Sequence, residues 1–304
     1  MTKAFVNYVL SMIKLGTVQS IALFLGLSWK TVKNIHKDCL LKKYKKISYK
    51  DLTYLSMDEF SIKKGHKYMT IFLDIKIGRI IYAVEGRSIE DIRSFLQKLA
   101  KKAHKLKAIA MDLSLPFISA VEAYLPNIAI VFDRFHVTKI LNKALDELRK
   151  KEWEKHNSFS GEKIGKGERF LFFRHYEDMA ETEQGKLKQL LAINKTLATA
   201  YEMKEQFRTF WEKGSKENGA KFLCRWIFTA VQSGIPALAK VGKTFLRHSV
   251  GLLNYFDHPI SNGKIEGINN KIKVQKRCGY GYRDLEYFTL LLYDLHKKSI
   301  GLVA

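Results

Sequence analysis

The sequence predicts an α/β protein: a mixed sheet with a large α-helical insertion, preceded by a small helix-turn-helix. Three observations carry that expectation. Short apolar runs with strand character begin at residue 53 and alternate with helical stripes up to about residue 136. Strand-like alternation then fades over 137–260, where Glu, Lys, Leu and Ala recur at helical spacing. Ahead of both, the first 46 residues carry helical periodicity interrupted by a single Gly-Leu-Ser turn. The chain has 304 residues, 46% of them hydrophobic and 27% charged, which is ample for a large core.

The helix-turn-helix is expected over 1–46. Thr17 is placed to cap a helix whose apolar face is Val18, Ile21, Ala22 and Leu25. Gly26 supplies the left-handed turn residue, and Ser28 caps a second helix from Trp29 to about Leu40. Val32, Ile35 and Cys39 are expected to face inward. Lys30, Thr31, Lys33, Asn34 and Lys37 are expected to face outward, the residue mix a helix uses in a major groove. An ordinary helical hairpin with a solvated basic face is the alternative, and KKYKKISYK reads as a basic linker into the first strand.

A first core segment is expected over 51–136. Residues 53–58 form an apolar run ending in Asp58, and 67–75 and 79–84 form a hairpin turning at Ile77-Gly78. Ile89, Ile92, Phe95, Leu96 and Leu99 make a helical stripe opened by Ser88, with Glu90 and Asp91 in its first turn. LKAIAMD is the next strand, PFISAVEAYL a helix opened by Pro116, and NIAIVFD a further strand. The order β-β-β-α-β-α-β matches a ribonuclease-H-like core, in which the first and fourth strands are central neighbours. Residues 137–260 are read as a helical insertion in which SFSGEKIGKGERF is a surface loop. Residues 261–304 return to the core with two helices. The first starts near Asn262 and buries Ile265, Ile268 and Ile272, with Asn262, Glu266, Asn270 and Lys273 on another face. It ends in the turn Gly279-Tyr280-Gly281-Tyr282-Arg283, and LEYFTLLLYDLHKK is an amphipathic helix packed on the core.

Three acids stand out against this background: Asp58 in TYLSMDEF, Asp112 in LKAIAMDLS and Glu266 in SNGKIEGINNK. A carboxylate closing a buried strand is costly unless its charge is compensated. Two of them on adjacent central strands, with a helical Glu, make an oxygen-only donor set suited to Mg²⁺ or Mn²⁺. Glu59 alternates to the opposite side of its strand, and Asp74, in the hairpin, is left outside the set. The rest of the chain is strongly basic, with 53 Lys and Arg against 30 Asp and Glu and a net charge of +23. Residues 1–50 hold ten Lys and the single acid Asp38. Lys264, Lys271, Lys273, Lys276, Arg277 and Arg283 surround Glu266 alone. Charge concentrated in this way implies contact with a phosphate backbone and metal-dependent chemistry on nucleic acid. A membrane is not expected, because no run of about 18 apolar residues is present and the N-terminal apolar stretch lacks a small-residue cleavage site. Cys39, Cys224 and Cys278 form no CxxC pair, so neither zinc nor a disulfide framework is expected, and a reduced cytoplasmic setting is the plain inference.

The segments MDEFSIKKGHKY, IAMDLSLPF, NIAIVFDRFHVTKILNKALDELRK and SNGKIEGINNKIKVQKRCGYGYRDLEYF resemble the DDE-type bacterial insertion-sequence transposases, and among them the family named after insertion sequence L-three. The resemblance implies that Asp58, Asp112 and Glu266 are the catalytic and metal-binding triad. It implies Mg²⁺ as cofactor, with Mn²⁺ able to substitute, and two-metal phosphoryl transfer as the chemistry. Asp133 and His136 in DRFH match an acidic-xx-His signature of transposases with a helical insertion. Asp133 is then a supporting group behind the ligands or an added ligand; His136 orients a carboxylate or phosphate, or is purely structural. Trp226 matches a tryptophan found in such insertions and is either core or a base-stacking platform. The implied partner is double-stranded DNA, both terminal inverted repeats and target, bound by a homodimer or higher oligomer associated with the bacterial nucleoid. Lys30, Thr31, Lys33, Asn34, Lys37, Lys271, Lys273, Lys276, Arg277 and Arg283 are the expected DNA contacts. Family members begin with a Cys-rich zinc-binding segment that this sequence lacks, so an N-terminally short copy is expected, with terminal-repeat recognition the first function affected. The other readings are a catalytically decayed transposase acting as a helix-turn-helix regulator, and a nuclease or resolvase that hydrolyses without joining.

Overall fold

Strand formation from residue 54 onward organises the first part of the chain. A computed structural model describes residues 1–63, 67–160, 168–261, 263–279 and 281–295. The chain divides into two compact units, Met1–Ile130 together with Ser261–Ala304, and Val131–Ile260.

The sheet holds β1 (Tyr54–Lys63), β2 (Lys67–Asp74), β3 (Arg79–Glu85), β4 (Ala108–Met111) and β5 (Ala129–Phe132), in the order β3-β2-β1-β4-β5. β1 is antiparallel to β2 and parallel to β4. The expected neighbourhood of first and fourth strands is therefore present. One boundary differs. β1 does not stop at Asp58 but runs on to Lys63. Its parallel pairing with β4 ends at Ser56–Ala110, while its antiparallel pairing with β2 continues past Asp58 to Lys63–Lys67. Pairing with β2 carries β1 past Asp58, whereas an apolar run reports burial rather than pairing.

The hairpin turns where expected. Gly78 has φ of 63°, and Asp74 Oδ1 accepts from the Lys76 N–H at 2.9 Å, so Asp74 serves the turn. Helix α4 (Ile89–Lys102) opens with a reciprocal capping box between Ser88 and Asp91. Helix α5 (Leu115–Tyr124) has Pro116 in its first turn, where a missing N–H costs nothing. Phe95 of α4 lies against Phe72 and stacks on Tyr82 of the sheet, with ring centroids 4.6 and 4.0 Å apart. The other sheet face, Ile62, Met69, Ile71, Leu73 and Ile80, packs with Ile265, Ile268 and Ile272 of α13 (Gly263–Cys278) and with Phe288 and Leu292 of α14 (Leu285–Asp294).

The N-terminal helices are α1 (Lys3–Met12), α2 (Val18–Phe24) and α3 (Trp29–Tyr44), with their own small core of Val9, Ile13, Ile21, Ala22, Val32 and Ile35. Thr17 and Ser28 cap α2 and α3 as expected, and Gly26 takes φ of 64° between them. The outward assignment of Lys33 and Lys37 is corrected by the structure. Both are turned onto the start of α14: Lys33 Nζ lies 2.9 Å from Asp284 Oδ2, and Lys37 Nζ is 3.1 Å from Asp284 and 2.7 Å from Glu286. His36 Nδ1 and Tyr287 Oη are 2.8 Å apart in the same interface, and Leu40 packs with Tyr287, Leu290 and Leu291. Lys43 and Tyr44 reach Asp294, so the expected linker begins as a docked helical turn. Helical periodicity marks one buried stripe, and α3 has two, one for its own hairpin and one for α14.

The second unit is helical: α6 (Arg134–Ser160), α7 (Arg169–Phe173), α8 (Glu181–Ala192), α9 (Lys195–Arg208), α10 (Lys216–Gln232), α11 (Pro236–Arg247) and α12 (Ser249–Asp257). Phe207, Phe210, Trp226 and Phe245 form its aromatic centre. α6 continues to Ser160, into the start of the stretch read as a loop; residues 161–167 of that loop lie outside the described residues. So do Asn262, Tyr280 and residues 296–298 of the expected last helix. Among the described residues no helix is long and apolar enough to cross a membrane.

Asp284 joins α3 to α14 and also caps α14, accepting from the Tyr287 N–H at 3.0 Å. Burial would raise its carboxyl, but the Tyr287 N–H and the Lys33 and Lys37 ammonium groups outweigh that and hold it at about 2, against an ordinary 3.8. A depressed carboxyl stabilises the fold above its unfolded-state value, and that contribution is lost as pH falls from about 4 through 2. Asp284→Asn keeps the cap and removes the charge. It is expected to lower amide-exchange protection in α3 at pH 7, with the difference from the unmodified chain shrinking as pH falls from about 4 towards 2.

Candidate active site

Asp58 and Asp112 come level with one another at the place where β1 leaves β4. The parallel register pairs Tyr54 with Ala108, Leu55 with Ile109 and Ser56 with Ala110. Carried two residues further, it sets Asp58 beside Asp112, the residue immediately after β4. Both are half-buried. Asp112 Oδ1 accepts from the Ser114 N–H at 3.2 Å, which ties it to the turn into α5. Asp58 pairs across the sheet with Ile71, on the face covered by α13.

Glu266 is carried by α13 in the exposed part of its first turn. The helix is laid along β1: Lys264 Nζ donates to the Ile75 carbonyl at 2.8 Å at one end, and Lys276 Nζ donates to the Ser61 carbonyl at the other. Between these anchors, Asn269 Nδ2 donates to Asp58 Oδ2 at 2.7 Å. The α13 residue in contact with Asp58 is thus Asn269, one turn after Glu266. Among the described residues no group of three or more His, Cys, Asp and Glu is placed to hold a metal ion. The register of the sheet therefore points two of the three acids to the same level, and the helix of the third meets Asp58, without closing the three into one cluster among the described residues.

Asn269 was not among the sequence candidates. Grouping Glu266 with Asn270 and Lys273 follows the exposed face correctly, and those three are exposed. Asn269 lies between that face and the buried Ile stripe, and its i, i+3 relation to Glu266 is the signal that marks it. Glu59 alternates away as expected and meets Arg87 Nη1 at 3.1 Å.

Asp133 and His136 belong to the second unit, at the start of α6. Asp133 is buried, with His136 Nε2 4.0 Å from Asp133 Oδ2. Trp226 is a core residue: it is 3% exposed, its Nε1–H donates to the Met203 carbonyl at 2.9 Å, and it meets Phe207 and Phe245. That packing leaves no ring face for a base. Of the expected DNA contacts, Lys30, Asn34, Lys273, Arg277 and Arg283 are exposed. Thr31 is half-buried at the α3 cap with its hydroxyl 2.9 Å from that of Ser28, and Lys271 is half-buried. Lys276 is drawn onto the sheet, and burial pushes its ammonium below the usual lysine range.

A family model described as transposase, for the DDE enzymes of insertion sequence L-three type, matches residues 55–292. This chain belongs to that transposase family. The transposase for insertion sequence element IS1001 of Bordetella parapertussis is 33% identical over 279 residues, covering 90% of this chain and 68% of that protein. The transposase for IS1557 of Mycobacterium tuberculosis is 27% identical over 282 residues, covering 84% of this chain and 63% of that protein. The chain thus spans about two thirds of the length of these relatives. Among solved structures, the Drosophila P element transposase strand transfer complex aligns over 84% of this chain and 79% of that one, at 10% identity and a TM-score of 0.43, a likeness that carries no argument. Family membership supports an enzyme that binds DNA and functions in transposition, and DDE transposases generally use a divalent metal. It does not favour the reading of a decayed regulator.

The two kinds of α3 lysine separate experimentally. Lys30→Ala is expected to weaken DNA binding uniformly across sequences and to lower the slope of log affinity against log salt by about 1. Lys33→Ala, which breaks a contact within the transposase, is expected to lower α3 exchange protection instead.

Proposed function

We propose that the transposase cleaves DNA at the ends of its insertion sequence and joins the freed 3′ ends to target DNA, with Asp58, Asp112 and Glu266 as its catalytic, metal-binding carboxylates. The parallel register of β1 and β4 is the observation that carries this reading, since two residues past its last pair, Ser56–Ala110, it sets Asp58 beside Asp112. The ends of strands beside a parting of neighbours are where α/β sheets place ligand sites. Glu266 rides on the helix that contacts Asp58, one turn from the contact itself.

The donor set fits a hard divalent cation. Asp58, Asp112 and Glu266 offer only carboxylate oxygens, the donor type a hard divalent cation takes. Mg²⁺ is the cation proposed, with Mn²⁺ as a substitute. Bound there, divalent cations supply stabilisation of the attacking and leaving oxygens in an in-line displacement. The residues of the chain do the rest. Asp58, Asp112 and Glu266 set where the reacting phosphate lies, and exposed Lys273, Arg277 and Arg283 hold its backbone neighbours. In the first step water attacks the phosphodiester and the 3′-oxygen leaves as a hydroxyl, with the phosphate left as a monoester on the other side of the cut; in the second that hydroxyl attacks a target phosphodiester and displaces the target's own 3′-oxygen, so one phosphodiester bond forms as another breaks. Terminal inverted repeats and target DNA are the proposed partners, engaged by a homodimer or higher oligomer in the bacterial cytoplasm, at the nucleoid.

Asp58→Ala, Asp112→Ala and Glu266→Ala are each expected to lower Mg²⁺-dependent end cleavage by about a thousandfold, the loss of several kcal/mol of charge stabilisation. DNA affinity by mobility shift is expected to stay within about threefold, since the exposed cations that make the phosphate contacts are untouched. Metal-dependent cleavage persisting in any of the three removes that residue from the triad. A pre-cleaved DNA end incubated with plasmid is expected to give joined products; release of nicked plasmid without joining points to hydrolysis alone.

A further inference from the structure

We infer that Asn269 is a positioning residue of the active site, orienting the Asp58 carboxylate for the divalent cation. This rests on the proposal that Asp58 is a metal ligand. Asp58 receives two hydrogen bonds, one on each oxygen: Asn269 Nδ2 at 2.7 Å on Oδ2, and the Glu59 N–H at 2.8 Å on Oδ1. Two donors on two oxygens fix the plane of the carboxylate. Each oxygen keeps further lone-pair capacity, so the group stays able to bind a cation while it is held.

The amide can face only one way. Turned over, it would set its oxygen against an anionic oxygen, so the NH₂ faces Asp58. Among the described residues its own oxygen is then buried with no hydrogen-bond partner. A buried amide kept for packing alone is satisfied at both ends, and leaving one end orphaned costs free energy that an apolar side chain of the same size would not. Among the described residues Asn269 is satisfied only where it meets Asp58. Its neighbour Asn270 shows the ordinary case, an exposed side chain whose oxygen faces Lys273 Nζ at 3.4 Å.

The support is rigid as well as polar. Ile265, Ile268 and Ile272 are buried on either side of Asn269 in sequence, and Lys264 and Lys276 tie both ends of α13 to the β1–β2 pair. The same helix carries Glu266, so one element sets the rotamer of Asp58 and the position of the third acid. Partners that orient metal ligands without touching the metal change affinity when removed.

Mn²⁺ binding to the full chain, followed by the electron paramagnetic resonance of free Mn²⁺, tests this without turnover. Asn269→Ala and Asn269→Leu are each expected to weaken Mn²⁺ binding by about 10–100-fold, with DNA affinity unchanged. Leu keeps the branched four-atom outline of the side chain without its polar atoms and keeps the test valid where Ala fails to fold. Asn270→Ala serves as control and is expected to bind Mn²⁺ like the unmodified chain. Asp58→Asn is the reference and is expected to lose the site. Unmodified Mn²⁺ affinity in folded Asn269→Leu, alongside loss in Asp58→Asn, overturns the role given to Asn269. Unmodified affinity in Asp58→Asn overturns the metal-site reading itself, and the inference with it.

Discussion

The parallel pairing of β1 with β4 is the constraint on which the first unit depends. Parallel neighbours cannot be joined by a tight turn, and here the chain adds β2 and β3 to the sheet and then crosses through α4 before β4 closes the pair. That pairing brings residues 54 positions apart in sequence (112 minus 58) level with each other, and it ends two residues short of Asp58.

The cover of the sheet depends on the same pair. β1 and β2 present one apolar face, and α13 can lie on it only with Ile265, Ile268 and Ile272 inward. The helix then runs along β1, and the residues flanking its apolar stripe meet the strand. Lys264, Asn269 and Lys276 all make such contacts, with Ile75, Asp58 and Ser61. Hydrophobic burial sets the helix in place, and polar contacts at its margin refine the site.

Electrostatics divides the basic surface into two classes. A net charge of +23 favours association with DNA, but it does not say which cations are free to bind it. Lys33 and Lys37 are engaged by Asp284 and Glu286 within the fold, and Lys276 by a backbone carbonyl. Lys30, Lys273, Arg277 and Arg283 remain exposed. Two lysines on one helix look alike in sequence whether they face solvent or a carboxylate at the far end of the chain.

Much of this transposase was legible in its sequence because the signals are local. Caps at Thr17, Ser28 and Ser88, the left-handed Gly26 and Gly78, and the Ile stripe of α13 each depend on a few neighbouring residues, and each forms as the pattern indicates. The order of strands and helices came from period changes along the chain, and the three acids stood out because charge at strand ends and on a basic helix is unusual. What only the tertiary structure decided concerns long-range partners. The extent of β1 past Asp58 was set by β2, the inward turn of Lys33 and Lys37 by α14, the burial of Trp226 by Phe207 and Phe245, and the link between α13 and Asp58 by Asn269. Local sequence determines which face of an element is apolar; which element covers that face, and which polar side chain meets it at the edge, depends on packing between segments far apart in the chain.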